Sequence, residues 1–304
     1  MRLRIRVRND AWARRAIGVH APACAQRNVG ETLALLPVLT ALALLASFLW
    51  GVSDFVAGHT SKALRPAAVV GWSQAIVAGR PSSVVVGPWI GWSLLSGVAG
   101  SIALLSFYSA LSTGTMGVVA PIAGSGAIVP VVLGVLGGEA LSGRAWLGIV
   151  LAILGGALAG GPEALAGLPV RPIALAMVAA VGFGVVLFGL DRGAREALLP
   201  TLWLERLVIV AILAVLALAR RDGGGVRPPD AKVLAVIGLT DLVANGLYAL
   251  ASSRGMVSVA SVLGSLYPVW TTILAAVVLH ERLRPVQVGG VVLSVAGICA
   301  IGLR

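Results

Sequence analysis

The sequence is poor in charged residues and in the side chains that most enzymes use for chemistry. Only 12% of its 304 residues are charged, whereas a typical soluble domain has roughly 25%. Two cysteines, Cys24 and Cys299, are far apart and form no CxxC pair, and three histidines are scattered. HExxH, GxSxG and Walker-type phosphate loops are also absent. These absences argue against a water-soluble domain, a metal site and a nucleotide-driven pump, and we predict no cofactor.

Hydrophobic residues, by contrast, make up 58% of the chain. A transmembrane helix needs about 20 mostly apolar residues, and the chain is long enough for many. We predict ten transmembrane helices, at residues 33–57, 66–86, 90–111, 115–137, 145–161, 171–190, 198–219, 232–252, 257–279 and 286–303. The 39 glycines suit close helix packing in lipid. The sequence therefore predicts an all-α membrane protein.

An internal repeat organises these helices. Residues 96–160 and 240–302 are two copies of one segment, and Tyr108 of the first copy matches Tyr248 of the second at an offset of 140 residues. Each half then contains five helices, and an odd number places the second copy upside down in the membrane. We therefore predict two inverted five-helix repeats. The predicted divisions are a basic tail at 1–32, a first repeat at 33–161, a linker at 162–170 and a second repeat at 171–304.

The net charge of +11 does not indicate nucleic-acid binding, because the basic residues lie in the tail and at helix ends. Seven arginines fall in the first 30 positions. With both termini inside the cell, thirteen basic residues lie inside and nine outside, which agrees with the positive-inside rule. Without the tail the balance reverses to six against nine. The tail is a targeting segment, a cytoplasmic extension that sets orientation, or the product of an incorrect gene start.

A stripe of polar residues marks one face of predicted helix 8. Asp241, Asn245, Tyr248 and Ser252 recur at helical spacing, and an ionisable group in hydrocarbon usually faces protein or water. The first repeat has a less polar version of this face that keeps Tyr108. We predict that Tyr108, Asp241, Asn245 and Tyr248, together with Trp50 of predicted helix 1, contribute to substrate binding or coupling. Asp241 has an alternative role, since it lies toward a helix end and could reach interfacial water.

Asp54 in predicted helix 1 is the second candidate charge. It shares a helix face with Trp50, and the second repeat has no acid at the equivalent position. A carboxylate here would bind a cationic substrate or exchange a proton during transport. Two alternatives stay open: a structural ion pair with Arg80 or Arg206, and solvation among lipid headgroups.

Two other polar groups are better explained by structure. Glu205 and Arg206 are adjacent in predicted helix 7, so their side chains point about 100° apart and would not easily face one cavity. We predict that they pair with neighbouring helices. The segment from Trp72 to Gln74 in predicted helix 2 indicates aromatic packing with one interhelical hydrogen bond.

Prolines at membrane depth are candidate gates. Pro121 and Pro130 lie in predicted helix 4, and Pro268 follows Ser265 and Tyr267 in predicted helix 9. Proline removes a backbone donor, kinks a helix and frees carbonyl groups. Such kinks serve gating in a transporter, or they only shape the packing. We add Ser265 and Tyr267 to the candidate binding residues.

Together these motifs resemble the twin EamA repeats of the drug/metabolite transporter superfamily. The residues that carry the resemblance are Trp50-Gly51, Tyr108, Tyr248-Ala249-Leu250, Ser265-Leu266-Tyr267-Pro268, Glu139 and Glu281-Arg282-Leu283. The resemblance covers about residues 41–303. It implies ten helices, cytoplasmic termini, an inner-membrane location and a central cavity lined by helices 1, 3, 4, 6, 8 and 9. Glu139 and Glu281 would then be structural caps at the helix ends.

The sequence departs from the family pattern in two places. Arg80-Pro81 stands where helix 2 usually continues apolar, so that helix looks shortened, and Gly126 occupies the position that Pro268 has in the second repeat. Equal gating by the two halves is therefore not expected.

We predict a secondary transporter of a small organic metabolite or drug, either coupled to a proton or other gradient or facilitative. An intramembrane enzyme is the main alternative, because Asp54 and Asp241 superficially resemble an aspartyl pair, but neither has the sequence context of an intramembrane aspartyl protease. A non-transporting sensor or scaffold is a further alternative. The expected partners are a small-molecule substrate and the lipid bilayer, with no nucleic acid, and a homodimer is one option for assembly.

Overall fold

The structure is a computed structural model that describes residues 29–79, 86–114, 116–159, 170–221, 224–278 and 284–302. Within these ranges every regular element is a helix. Most of the predicted tail, most of the predicted linker, Arg80-Pro81 and Glu281 lie outside the described residues.

The helices follow the order predicted from the sequence, and we number them α1 to α10. Six are single helices: α1 Val29–Ala63, α2 Pro66–Ile76, α3 Trp89–Thr113, α5 Gly143–Ala159, α8 Ala231–Arg254 and α10 Pro285–Gly302. Two are in pieces: α4 is Met116–Gly124 and Ile128–Leu136, and α9 is Val257–Gly264 and Tyr267–Val278. The long helix Val170–Arg220 is broken at Ala197, and we call its arms α6 (170–196) and α7 (198–220).

The first helix, predicted over 33–57, extends to Ala63, and two further boundaries also differ from the prediction. The second helix, predicted over 66–86, already ends at Ile76, where the Ala78 amide donates to the Ala75 carbonyl at 3.3 Å and Gly79 follows with a φ of +39°. The positive φ turns the chain out of the helix, which glycine tolerates without steric cost. No separate loop joins the sixth and seventh helices, since only Ala197 (φ −153°, ψ 90°) interrupts the helical backbone.

The interruptions of α4 and α9 fall at equivalent places in the two repeats. A 3-10 turn over Ser125–Ala127 divides α4, and residues 265–266 divide α9, so the repeat offset of 140 superposes the two breaks. Pro130 and Pro268 stand in the first turn of the helix that follows each break, where proline has no intrahelical bond to lose. Pro121 lies inside Met116–Gly124 without breaking it.

The helices carry the surface of an integral membrane protein. Five are long and apolar enough to cross a bilayer, namely Leu35–Ala63, Trp89–Thr113, Val118–Leu136, Val170–Arg220 and Pro228–Arg254, and three shorter apolar helices accompany them. Large aliphatic side chains point away from the protein, among them Leu136, Leu218 and Val292. Outward-facing apolar side chains of this kind are stable only in contact with lipid or another protein, so the chain is a multi-pass membrane protein.

Three helix pairs form the main packing: α3 with the α6–α7 helix, α1 with α8, and α5 with α10. In the last pair glycines bring the two backbones together. A Cβ added to Gly148 would lie 2.8 Å from the Gly297 carbonyl oxygen, and one added to Gly155 would lie 2.7 Å from that of Gly290. Only small residues permit such an approach, and close backbone contact is a main source of helix association in lipid.

Candidate functional site

A polar cavity lies between the two halves of the protein. Its volume is about 60 Å³, well below the roughly 300–1,000 Å³ of a typical pocket for a drug-sized ligand. Its polar and aromatic lining comes from helices of both halves: Trp50, Asp54, Gln74, Phe183, Glu205, Arg206, Asp241, Asn245, Ser265 and Tyr267. The cavity is therefore small, and four of its lining side chains are charged.

Asp241 of α8 is the centre of a hydrogen-bond network. Its Oδ2 accepts from Arg206 Nη2 at 3.0 Å, from Gln74 Nε2 at 3.0 Å and from Asn245 Nδ2 at 3.2 Å. Asp241 is only 8% exposed, so the alternative that it reaches interfacial water is wrong. Its partners come from α7, α2 and α8 itself, and charge-assisted bonds of this kind offset part of the cost of burying the carboxylate. The network joins both halves of the chain.

Glu205 and Arg206 both line the cavity, so the expectation that they would not easily face one cavity is wrong. The guanidinium reaches Asp241 while Nη1 lies 4.0 Å from Glu205 Oε2. The physical reason is the length of the arginine side chain. Adjacent positions on a helix point about 100° apart, but the long side chain lets the guanidinium of Arg206 reach the cavity that Glu205 also lines. The prediction that Arg206 pairs with a neighbouring helix is confirmed, and the predicted interhelical hydrogen bond near Trp72 is the one from Gln74.

Asp54 of α1 lies on the same cavity without a comparable network. It is buried, at 9% exposed, and forms no hydrogen bond or ion pair with any residue that the structure describes. Arg206 is engaged by Asp241 instead, and Arg80 lies outside the described residues. Burial also argues against solvation among headgroups. Asp54 is close enough to Asp241 and Tyr267 for electrostatic interaction with both.

The candidate aromatic residues divide into two groups. Trp50 and Tyr267 line the cavity, and the Tyr267 hydroxyl donates to the Ala120 carbonyl at 3.3 Å. Tyr108 and Tyr248 are buried but do not line it. Tyr248 stacks at 5.6 Å from Trp50, and its hydroxyl bonds to the Leu187 carbonyl at 3.0 Å and to Ser261 Oγ at 2.8 Å. The structure thus brings Tyr248 behind the cavity wall.

The polar stripe of α8 is buried along its full length, as its spacing predicts. Asp241 and Asn245 line the cavity, whereas Ser252 lies beyond Tyr248 and donates within α8 to the Ala249 carbonyl. The breaks in α4 and α9 also meet the cavity, through Gly124 and Ser265. The Ser265 hydroxyl donates to the Ser261 carbonyl at 2.7 Å, so its donor already has a partner within α9.

Two carboxylates, Glu139 and Asp191, form hydrogen bonds near the end of the molecule where α4 ends and α5 begins. The Glu139 carboxylate accepts from the amides of Val257 at 2.7 Å and Ser258 at 3.1 Å, and so caps the first turn of α9. At the same end Arg195 forms two 3.0 Å bonds with the fully buried Asp191 and reaches the Ser252 carbonyl at 3.3 Å. The cap at Glu139 agrees with the role that the family resemblance implied.

Asp191 and Gln74 are site-related residues that the sequence did not single out for function. The signal for Asp191 was the spacing of an acid and an arginine four residues apart, which also describes a solvated helix face. For Gln74 the signal was an amide inside an apolar helix, whose partner 167 residues away was not evident.

Comparisons with known proteins agree with this architecture. Residues 170–303 match the model of the EamA-like transporter family. A solved crystal structure with 22% identity superposes with a TM-score of 0.66 over 87% of this chain and 96% of the other, and this likeness concerns the fold. No curated protein matches the sequence significantly. The family match confirms the predicted resemblance for the second half of the chain: residues 170–303 are similar to the EamA-like transporter family.

Proposed function

We propose that the protein is a secondary transporter that moves a small organic metabolite or drug across the inner membrane by alternating access. The observation that carries the proposal is Asp54, a buried carboxylate that faces a cavity between the two halves and has no partner among the described residues. An unpaired buried charge is costly. A group kept in that condition at the centre of a membrane protein is a candidate for binding and release.

Helix packing supports the inverted repeat that alternating access requires. If α1–α5 and α6–α10 exchange places, the α1–α8 contact becomes the α6–α3 contact, and both are major contacts of the fold. The α5–α10 pair maps onto itself, since Gly148 meets Gly297 while Gly155 meets Gly290. A contact of this self-complementary kind is the signature of a twofold axis. This packing supports our proposal that the ten helices form two inverted repeats in the membrane.

The charge balance of the cavity supports proton coupling. Among the described lining residues there are three acids, Asp54, Glu205 and Asp241, and one arginine, so carboxyl groups outnumber the cation in this part of the site. Asp241 is held by three donors, and Glu205 Oε2 lies 4.0 Å from Arg206 Nη1 without a hydrogen bond. We assign proton exchange to Asp54, which has no cation beside it among the described residues. Protonation would remove the uncompensated charge. The empty site could then switch between its two openings without burying that charge. Asp241, with its donors in place, is also a poor partner for aspartyl protease chemistry.

The broken helices give the two halves a means to move. Both breaks border the cavity, and a Cβ added to Gly124 would lie 3.2 Å from Pro268 Cγ. Changes of backbone angle at residues 125–127 and 265–266 would open the cavity toward one side, with Pro121, Pro130 and Pro268 setting the direction of each helix piece. In the present arrangement Glu139 and Asp191 hold one end closed.

The test uses Asp54→Asn, with Asp230→Asn as the control, because Asp230 is partly exposed and lies outside the cavity. Substrates are first found by a thermal-shift screen of metabolites against the purified wild type, because a ligand of the folded state raises its apparent stability. Uptake of those ligands into proteoliposomes is then measured with and without a pH gradient. We expect the wild type and Asp230→Asn to respond to the gradient and Asp54→Asn to lose that response.

Two results contradict the proposal in different ways. Unchanged uptake, affinity and pH dependence in Asp54→Asn would remove this residue from the mechanism. Failure of the wild type to move any ligand that stabilises it would favour a sensor or scaffold over a transporter.

A further inference from the structure

A second, much larger hollow lies outside the cavity between the halves. It is a groove of about 1080 Å³ between α2, α3 and α7. Its floor is formed by apolar side chains, including Leu105, Leu213 and Ala214, and Trp72 stands half exposed at its side. None of the charged cavity residues lines it. The groove is therefore a separate site with different chemistry.

Basic side chains form the rim of this groove. Arg65 precedes α2, Arg220 ends α7 and Arg221 follows it, and all three line the groove. Among the described lining residues none is acidic. Arg220 also stands at the C-terminal end of a helix, where a cation is favoured by the helix dipole. One end of the groove is thus strongly positive, while its floor is apolar.

The backbone holds the basic rim in place. Gly224, with a φ of +76°, packs directly on Ala68, so closely that a Cβ at this position would overlap the alanine side chain. This contact ties the chain after Arg221 to the first turn of α2. Arg221 itself has a φ of +49°, a conformation that non-glycine residues adopt rarely. The two arginines consequently lie at the end of α7, close to the first turn of α2.

We propose that the groove binds an anionic phospholipid, with the phosphate on Arg220 and Arg221 and the acyl chains on the floor formed by α3 and α7. A guanidinium binds phosphate oxygens in a bidentate manner, and an apolar floor on a membrane-spanning surface matches hydrocarbon chains. Trp72 adds an exposed aromatic ring to the apolar lining, level with the floor residue Leu213. The charge complementarity of the rim selects this occupant over a zwitterionic lipid.

The experiment compares Arg220→Gln/Arg221→Gln with Arg144→Gln/Arg171→Gln, which removes the same charge from exposed positions outside the groove. Binding of phosphatidylglycerol and phosphatidylcholine to the purified full chain is titrated by native mass spectrometry. Basic residues near a membrane surface contribute about 1 kcal/mol each toward anionic lipid. Two such residues correspond to an affinity loss of about 30-fold, which we expect for phosphatidylglycerol only in the groove variant.

A third variant, Ala214→Trp, fills the floor and should weaken binding of both lipids while leaving the preference between them. The proposal is overturned if the groove variant and the control keep the same lipid preference. It is also overturned if inorganic phosphate displaces bound phosphatidylglycerol as effectively as added phosphatidylglycerol does. A third contradicting result would be cross-linking that shows a second copy of the chain covering the groove. None of these outcomes depends on transport activity.

Discussion

Arg206 of α7 donates to Asp241 of α8 across 3.0 Å, and both side chains are almost fully withdrawn from the protein surface. The pair joins two neighbouring helices of the second half, and through Gln74 it also ties in α2 of the first half. A buried ion pair contributes little net stability relative to apolar residues of the same volume, but removal of one partner leaves an uncompensated charge.

The first prediction follows from that asymmetry. We expect Arg206→Met to lower the free energy of unfolding by about 3–5 kcal/mol, because Asp241 then stays buried without its cation. The double variant Arg206→Met/Asp241→Leu should recover much of the loss. Unfolding of the purified protein in detergent measures both, with the exposed Arg144→Met as a control. Losses that simply add in the double variant would show that the two residues do not interact.

The second prediction uses adjacent glycines in α5. A Cβ at Gly155 meets the backbone of α10, whereas nothing lies within 4 Å of a Cβ at Gly156. We expect Gly155→Ala to lower the free energy of unfolding by about 1–3 kcal/mol through overpacking. Gly156→Ala should be neutral or slightly stabilising because alanine favours the helix. Gly290→Ala and Gly289→Ala repeat the comparison in α10. Equal effects within either pair would argue against the close α5–α10 contact.

The third prediction concerns the cap on α9. Glu139→Ala removes the acceptor of the Val257 and Ser258 amides, and loss of a cap costs about 0.5–2 kcal/mol. We expect a drop in thermal stability of that size. Glu196→Ala removes the same charge from an exposed position of α6 and should change little. Matching losses in both variants would indicate a general charge effect in place of capping.

The fourth prediction separates the tyrosines of the site. Tyr248→Phe loses bonds to Leu187 and Ser261 and should lower the free energy of unfolding by about 1–3 kcal/mol, but Tyr248 does not line the cavity. We therefore expect ligand affinity, corrected for folded fraction, to change less in Tyr248→Phe than in Tyr267→Phe. Isothermal titration with any ligand from the metabolite screen provides the comparison. A larger affinity loss for Tyr248→Phe would restore its predicted role in substrate binding.

Periodicity and repetition predicted much of this architecture because they depend on local spacing. The matched tyrosines, Tyr108 and Tyr248, and the buried stripe of α8 follow from helical geometry and from the offset of 140 residues. The sequence also predicted that the two halves differ in their polar residues, since Asp54 lacks an acidic counterpart in the second repeat. Positions along the chain therefore indicated which faces are buried.

Partners were harder to predict because they depend on side-chain reach across helices. Gln74 binds Asp241 over 167 positions, and no pattern in the sequence connects them. Arg206 bends toward the cavity beside Glu205, although their backbone positions diverge. Tyr248 faces inward as predicted, but Trp50 stands in front of it. The sequence thus predicted which helix face each residue lies on. It did not predict which side chains line the cavity and which lie behind them.

The glycine contact between α5 and α10 has a consequence for which substitutions the proposed transport mechanism would tolerate. Neither helix contributes a residue to the cavity, and their backbones touch where any larger side chain would collide. Under the proposed alternating-access mechanism, this pair would serve as the hinge between the two halves. Variation at Trp50, Phe183 or Asn245 would then alter what the protein recognises without disturbing the hinge. Under the proposed mechanism, the residues that would determine selectivity and the residues that hold the two halves together lie in different helices.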